Sequence, residues 1–212
     1  MEKEPIKMSQ LFKRSSFLLA GGLLLFSCSG EQGNKATPGT VTDSTQVARE
    51  PNPFPFYKSL SVRPGLHFEV VSWGKGVDSV GGYLILMSDS TRNNFKSLSD
   101  EREGIITDSW NMDLDNDGNP EIYVELSTGG NQKDLNVYEY AGNSFQKITF
   151  PGLSSRAKKT YGGNDQFKIK NGDLFRTYSV VDPDSANKVA EVKTLQYRLR
   201  GNTFSVDELS EE

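Results

Sequence analysis

The sequence predicts an all-β fold, an antiparallel β-sandwich or barrel-like domain with at most one or two short helices. Three observations predict it. Apolar, β-branched and aromatic residues come in short runs, several with strand-like alternation. Turn signals separate these runs about every ten residues, the spacing of sandwiches and barrels. Two of the signals are "NG" at 171–172 and "GN" at 201–202, dipeptides that accept the positive φ of a tight hairpin turn.

Taken in order, "LHFEVVS" at 66–72 is rich in β-branched and aromatic residues, and "GGYLILMS" at 81–88 is a nearly continuous apolar run. Two further strands, "GIITDSWNMDL" at 104–114 and "EIYVELS" at 121–127, flank an acidic stretch. "LNVYEY" at 135–140 alternates, with Leu135, Val137 and Glu139 on one face and Asn136, Tyr138 and Tyr140 on the other. "AGNS" then turns the chain into "FQKITF" at 145–150. "QFKIK" and "DLFRTYSVV" flank the Asn-Gly pair, and "TLQYRLR" and "TFSVDE" flank the Gly-Asn pair. The best helix candidate is 152–161, and residues 92–102 are read as a turn of helix.

The amino-terminal part has a different character. Residues 1–16 carry Lys3, Lys7, Lys13 and Arg14, and "FLLAGGLLLFS" follows, ending just before Cys28. This apolar run suits a signal-peptide core and is short for a membrane span. "LFSC" resembles the lipobox of bacterial lipoproteins. Residues 1–27 are therefore read as a signal peptide, and Cys28 as the acylated residue that anchors the protein to a membrane of the cell envelope, in the outer membrane on its periplasmic or surface face. Cys28 is the one cysteine in the chain, so an intrachain disulfide is ruled out. Residues 28–55, rich in Ser, Thr, Gly, Pro and Asn, read as a flexible tether. Residues 56–212 suit a single domain by size.

Charge narrows the partners. The chain carries 24 basic and 28 acidic residues, and without residues 1–27 it holds 20 and 26, a net charge of −6. That balance argues against nucleic acid and suits a cationic protein partner.

The acidic stretch reads "DLDNDGNPE". Asp113, Asp115 and Asp117 alternate, Gly118 permits a sharp turn, and Glu121 follows at the ninth position. Converging carboxylates are the hard ligands calcium takes. A helix–loop–helix calcium site would want glutamate at the twelfth position, where this chain has Val124. Two readings stand side by side: a short calcium loop between strands, or a β-turn in which Asp and Asn side chains bond their own backbone.

Catalytic signatures are sparse. The single histidine, His67, lies in a predicted strand, and no cluster of His and Cys has the spacing of a zinc site. No glycine-rich phosphate loop opens a helix. The protein is expected not to be an enzyme.

The segment "GIITDSWNMDLDNDGNPEIYVELSTGGNQKDLNVYEYAGNSFQKI" resembles the core of the periplasmic inhibitors of invertebrate-type (I-type) lysozyme. "YGGNDQFKIKNGDLFRTYSVV" and "LQYRLRGNTFSV" resemble that family's later hairpins, and the likeness runs over roughly residues 66 to 206. It implies an all-β domain that blocks lysozyme by presenting loops to the substrate cleft. The main inserted loop would be Ser127, Thr128, Gly129, Gly130, Asn131, Gln132 and Lys133; the alternative is a flexible hairpin connection whose glycines serve turn geometry. Where the family has Ser-Gly-Ser-Tyr, this chain has Gly130, Asn131, Gln132 and Lys133, leaving Lys133 and Gln132 to meet a carboxylate. A second candidate loop is Tyr161, Gly162, Gly163, Asn164 and Asp165, either a contact loop or a capped turn that sends Phe167 into the core. The competing expectation is a non-catalytic envelope module that binds a protein or a glycan, with calcium as a structural ion.

Overall fold

The computed structural model describes residues 54–74, 80–182 and 188–209. The expected signal peptide, Cys28 and nearly all of the tether lie outside these residues. The strands form three antiparallel four-stranded sheets, each a meander of consecutive strands. The first holds β1 (Phe56–Arg63), β2 (Leu66–Trp73), β3 (Val80–Asp89) and β4 (Asn94–Glu103). The second holds β5 (Ile105–Met112), β6 (Glu121–Gly129), β7 (Gln132–Ala141) and β8 (Ser144–Ile148). After a short helix α1 (Ser155–Lys159), the third holds β9 (Gln166–Lys170), β10 (Asp173–Asp182), β11 (Lys188–Arg200) and β12 (Thr203–Leu209).

The fold is all-β and sandwich-like, with three layers. Phe68, Val70, Tyr83 and Ile85 of the first sheet pack with Ile122, Val124, Leu126 and Tyr138 of the second. On the other face of the second sheet, Tyr123, Leu135 and Val137 pack with Leu174, Tyr178, Leu195 and Tyr197 of the third. The second sheet is thus covered on both faces. This explains why six consecutive residues of β6, Glu121 to Leu126, are buried. It also explains why Val137 and Tyr138, on opposite faces of β7, are both buried, since a strand covered on two sides has no solvent face at its centre.

Tight turns set the strand order locally. Gly130–Asn131, Gly142–Asn143, Asn171–Gly172 and Gly201–Asn202 each place two residues at positive φ, as two-residue type I′ turns require. Residues 92–102 are not helical, contrary to expectation: Asn94–Glu103 is β4, an edge strand of the first sheet. Its polar character is that of an exposed edge, where charged side chains discourage pairing with another chain. The other edge, β1, hides its alternation by burying only Leu60 fully. The helix expected over 152–161 shrinks to five residues, capped where Ser154 Oγ accepts from Ala157 N at 3.1 Å.

Candidate functional site

Ser127–Lys133 is a hairpin tip rather than a free loop. Ser127, Thr128 and Gly129 end β6, Gly130 and Asn131 make the turn, and Gln132 and Lys133 begin β7. A bulge displaces the register between Ser127 and Gly129, which increases local twist. Thr128 to Gln132 are exposed, and Ser127 and Lys133 are half-buried.

Tyr161–Asp165, some thirty residues on, locks this tip. Asn131 Nδ2 donates to Asn164 Oδ1 at 3.1 Å, and Asp165 N donates to the Asn131 carbonyl at 3.3 Å. Gly163 sits at φ +75°, and a Cβ there would lie 3.0 Å from the Gly130 carbonyl oxygen, so only glycine lets the two backbones approach. Asp165, 3% exposed, accepts from Lys133 N at 3.0 Å, from Arg176 Nε at 2.8 Å and from the Tyr161 hydroxyl. Arg176 Nη2 also donates to the Lys133 carbonyl at 3.2 Å. Burial works against the charge on Arg176, but Asp165 outweighs it and raises the guanidinium's pKa. Burial, and then the bond to Asp165, raises the Tyr161 phenol.

The structure therefore joins the two candidate loops into one surface with different roles. The hairpin tip faces solvent, while Asp165 lies beneath it as a strut. Lys133 does not offer a free ammonium: its Nζ lies 2.7 Å from Glu125 Oε1, which also accepts from Thr107 Oγ1 at 2.6 Å. Gln132, Asn131 and Thr128 remain the exposed polar groups at the tip. Beside them lies a cavity of about 310 Å³, lined by Thr128, Gln132, Lys133, Lys158, Tyr161 and Arg176.

The acidic turn stands at the other end of β6. Asp113, Asp115, Asp117 and Glu121 each bring a carboxylate oxygen within 4.8 Å of the others. The three aspartates also serve the turn: Gly118 N donates to Asp113 at 3.0 Å, Asp117 N to Asp115 at 3.3 Å and Asn119 N to Asp117 at 2.8 Å. Asp115 further accepts from Gly201 N at 3.2 Å, tying the turn to the β11–β12 hairpin. Glu121 is 0% exposed; one oxygen accepts from Leu114 N at 2.8 Å and the other has no hydrogen-bond partner. Burial, then Asp115, Asp113 and Asp117, push its carboxyl up to about 8, against the Leu114 N–H.

A third feature lies between β3, β4 and β7. A cleft of about 1010 Å³ is lined by Trp73, Gly82, Asp100, Glu101, Asn136 and Lys147, among others. The Trp73 indole lies against Gly82, where a Cβ would fall 2.2 Å from the ring, and Trp73 is 41% exposed. Asp100 accepts from Lys147 Nζ at 2.7 Å and from the Tyr138 hydroxyl. Burial alone would raise its carboxyl, but these bonds outweigh it and hold it below the usual carboxylate range. His67 is exposed on β2.

Arg176, Glu125 and Trp73 were not among the residues that the sequence marked. Arg176 carried a readable signal: it occupies an inward position between Leu174 and Tyr178, all three buried on one face of β10. No family model, curated protein or solved structure matches the chain.

Proposed function

We propose that this is a non-catalytic, lipid-anchored protein of the cell envelope that binds another protein in the manner of a lysozyme inhibitor. It would present the Thr128–Gln132 tip to the partner's cleft. The observation that carries the reading is the pairing of a slim, exposed tip with a buried strut: Asp165 and Arg176 hold the hairpin from below, and exposed Asn164 ties its turn at the surface. A tip ordered before contact loses little entropy on binding, which favours affinity. Gly130 narrows the tip, and Asn131 and Gln132 carry the amides that would hydrogen-bond groups in a polar cleft. The family's tyrosine has no counterpart here, so polar contacts rather than an aromatic anchor would supply the recognition.

The test is cell-wall lysis by invertebrate-type lysozyme with increasing amounts of purified protein. The reading expects lysis to fall at micromolar protein, and to recover when Asn131→Asp places a charge at the tip. Undiminished lysis at tens of micromolar would exclude that target.

One observation favours a second reading, a module that binds glycan. A half-exposed indole beside carboxylates and an amide, in a cleft large enough for a sugar unit, provides an apolar face and hydrogen-bonding groups together. Calorimetry with soluble cell-wall fragments, repeated on Trp73→Ala, distinguishes the two: heat that vanishes in the variant supports the cleft, and no heat in either protein removes it.

A further inference from the structure

Buried carboxylates in folded proteins are paired, hydrogen-bonded or bound to metal, because taking an isolated charge out of water costs several kcal/mol. Glu121 meets this only in part, through the one bond from Leu114 N to its other oxygen. It is fully buried, one of its oxygens has no partner, and its surroundings add negative charge. Directly opposite it in the β6–β7 register stands Glu139, 5% exposed. Like charges facing each other across a strand pair are destabilising. Among the described residues, no lysine or arginine pairs with Asp113, Asp115, Asp117 or Glu121.

A β-turn alone accounts for the three aspartates, since each bonds a backbone N–H of the turn. It does not account for Glu121, which reaches the same point from within the sandwich. The distances fit a single central cation. Two oxygens on one calcium ion, at about 2.3–2.6 Å from it, are at most about 5 Å apart, and the four oxygens here lie within 4.8 Å of one another. The donor set is also that of calcium. Magnesium is usually held by one or two carboxylates and keeps several waters, whereas calcium takes many oxygens in a flexible arrangement.

We propose that Asp113, Asp115, Asp117 and Glu121 form a calcium site that fastens the β5–β6 connection to the body of the sandwich. Calcium supplies the positive charge that buried Glu121 otherwise lacks. It also holds Asp115, which anchors the β11–β12 turn through Gly201 N, so the ion secures the second and third sheets at one end. The site is separate from the hairpin tip. Glu121 and Gly129 are the first and last residues of β6, roughly 27 Å apart at strand rise, so the ion stabilises the scaffold without touching a partner.

The experiment is a calcium titration of chelator-treated, purified full-length protein, followed by calorimetry and by melting. The expected result is one ion per chain and a rise in melting midpoint of about 5–10 °C when free calcium exceeds Kd a hundredfold. Magnesium at the same concentration should give a much smaller rise. Asp115→Asn and Glu121→Gln should each abolish the rise. Glu121→Gln keeps the side-chain shape and cannot carry a charge, so in chelator its midpoint should equal or exceed that of the parent. No heat and an unchanged midpoint at millimolar calcium would overturn the proposal. So would a Glu121→Gln variant that loses the same amount of stability with calcium and without it. Neither readout involves a binding partner, so the result is independent of the tip's target.

Discussion

Two buried carboxylates, at opposite ends of β6, have opposite surroundings. Asp165, 3% exposed beneath the hairpin tip, has a guanidinium, a phenol and a backbone N–H as donors. Glu121, 0% exposed at the acidic turn, has one backbone N–H and three aspartates for neighbours. The first is a completed ion pair in a preorganised surface, and the second is, on the proposal above, half of an arrangement that a bound cation would complete. The same chemical group therefore does different work at each end, and its partners, not its burial, show which.

The largest effect that separates the two ends comes from removing a partner. Arg176→Met leaves Asp165 buried without its cation, and breaking a buried pair in this way costs about 3–5 kcal/mol. Urea unfolding should show that loss, and the proposed inhibition of lysis should weaken with it as the tip loosens. Next, the two carboxylates should respond to amide substitution with opposite signs in calcium-free buffer. Asp165→Asn should cost about 1–3 kcal/mol by weakening three bonds, whereas Glu121→Gln should cost nothing or stabilise. Equal losses at both sites would remove the distinction.

Smaller effects sharpen the picture at the tip. Gly163→Ala introduces a side chain at φ +75° and 3.0 Å from the Gly130 carbonyl oxygen. A cost of about 1–2 kcal/mol is expected from the backbone conformation alone. Its signature should be faster amide exchange at Lys133 and Asp165, whose N–H groups bond Asp165 Oδ2 and the Asn131 carbonyl, with little change at Leu114. The smallest effect concerns Asp100, a carboxylate intermediate between the two. Its carboxyl is held below the ordinary value of 3.8, so it contributes stability above that pH, and the contribution is lost as pH falls through and below 3.8. Asp100→Asn should flatten the acid limb of a stability-against-pH curve, measurable by thermal melts from pH 5 down to pH 2.

Much of the fold was legible in the sequence because it rests on local chemistry. The Asn-Gly and Gly-Asn turns need positive φ at adjacent positions, and the residues that tolerate it occur at each. The edges β1 and β4 were less legible: an edge strand buries little, so its pattern looks like that of a loop or a turn of helix. Three layers in place of two could not be read from any one strand, because burial of the second face of β6 and β7 depends on a sheet formed some forty residues later. The site divides along the same line. Asp113, Asp115, Asp117 and Glu121 are contiguous and visible as a motif. The Asp165–Arg176–Lys133 network joins three separate segments, and the sequence placed Lys133 on a partner's carboxylate when Glu125 of its own sheet already holds it. A glutamate opening the run "EIYVEL" was the sign that Glu121 would be carried into the core.

Amide hydrogen exchange on the purified protein, with calcium and with chelator, tests most directly whether the two ends of β6 are built as described. Calcium should slow exchange at Leu114 and Gly118, whose N–H groups bond Glu121 and Asp113. Exchange at Lys133 and Asp165, already fixed by the Arg176 network, should not change. Equal protection at both ends, or none at Leu114 and Gly118, would contradict the account.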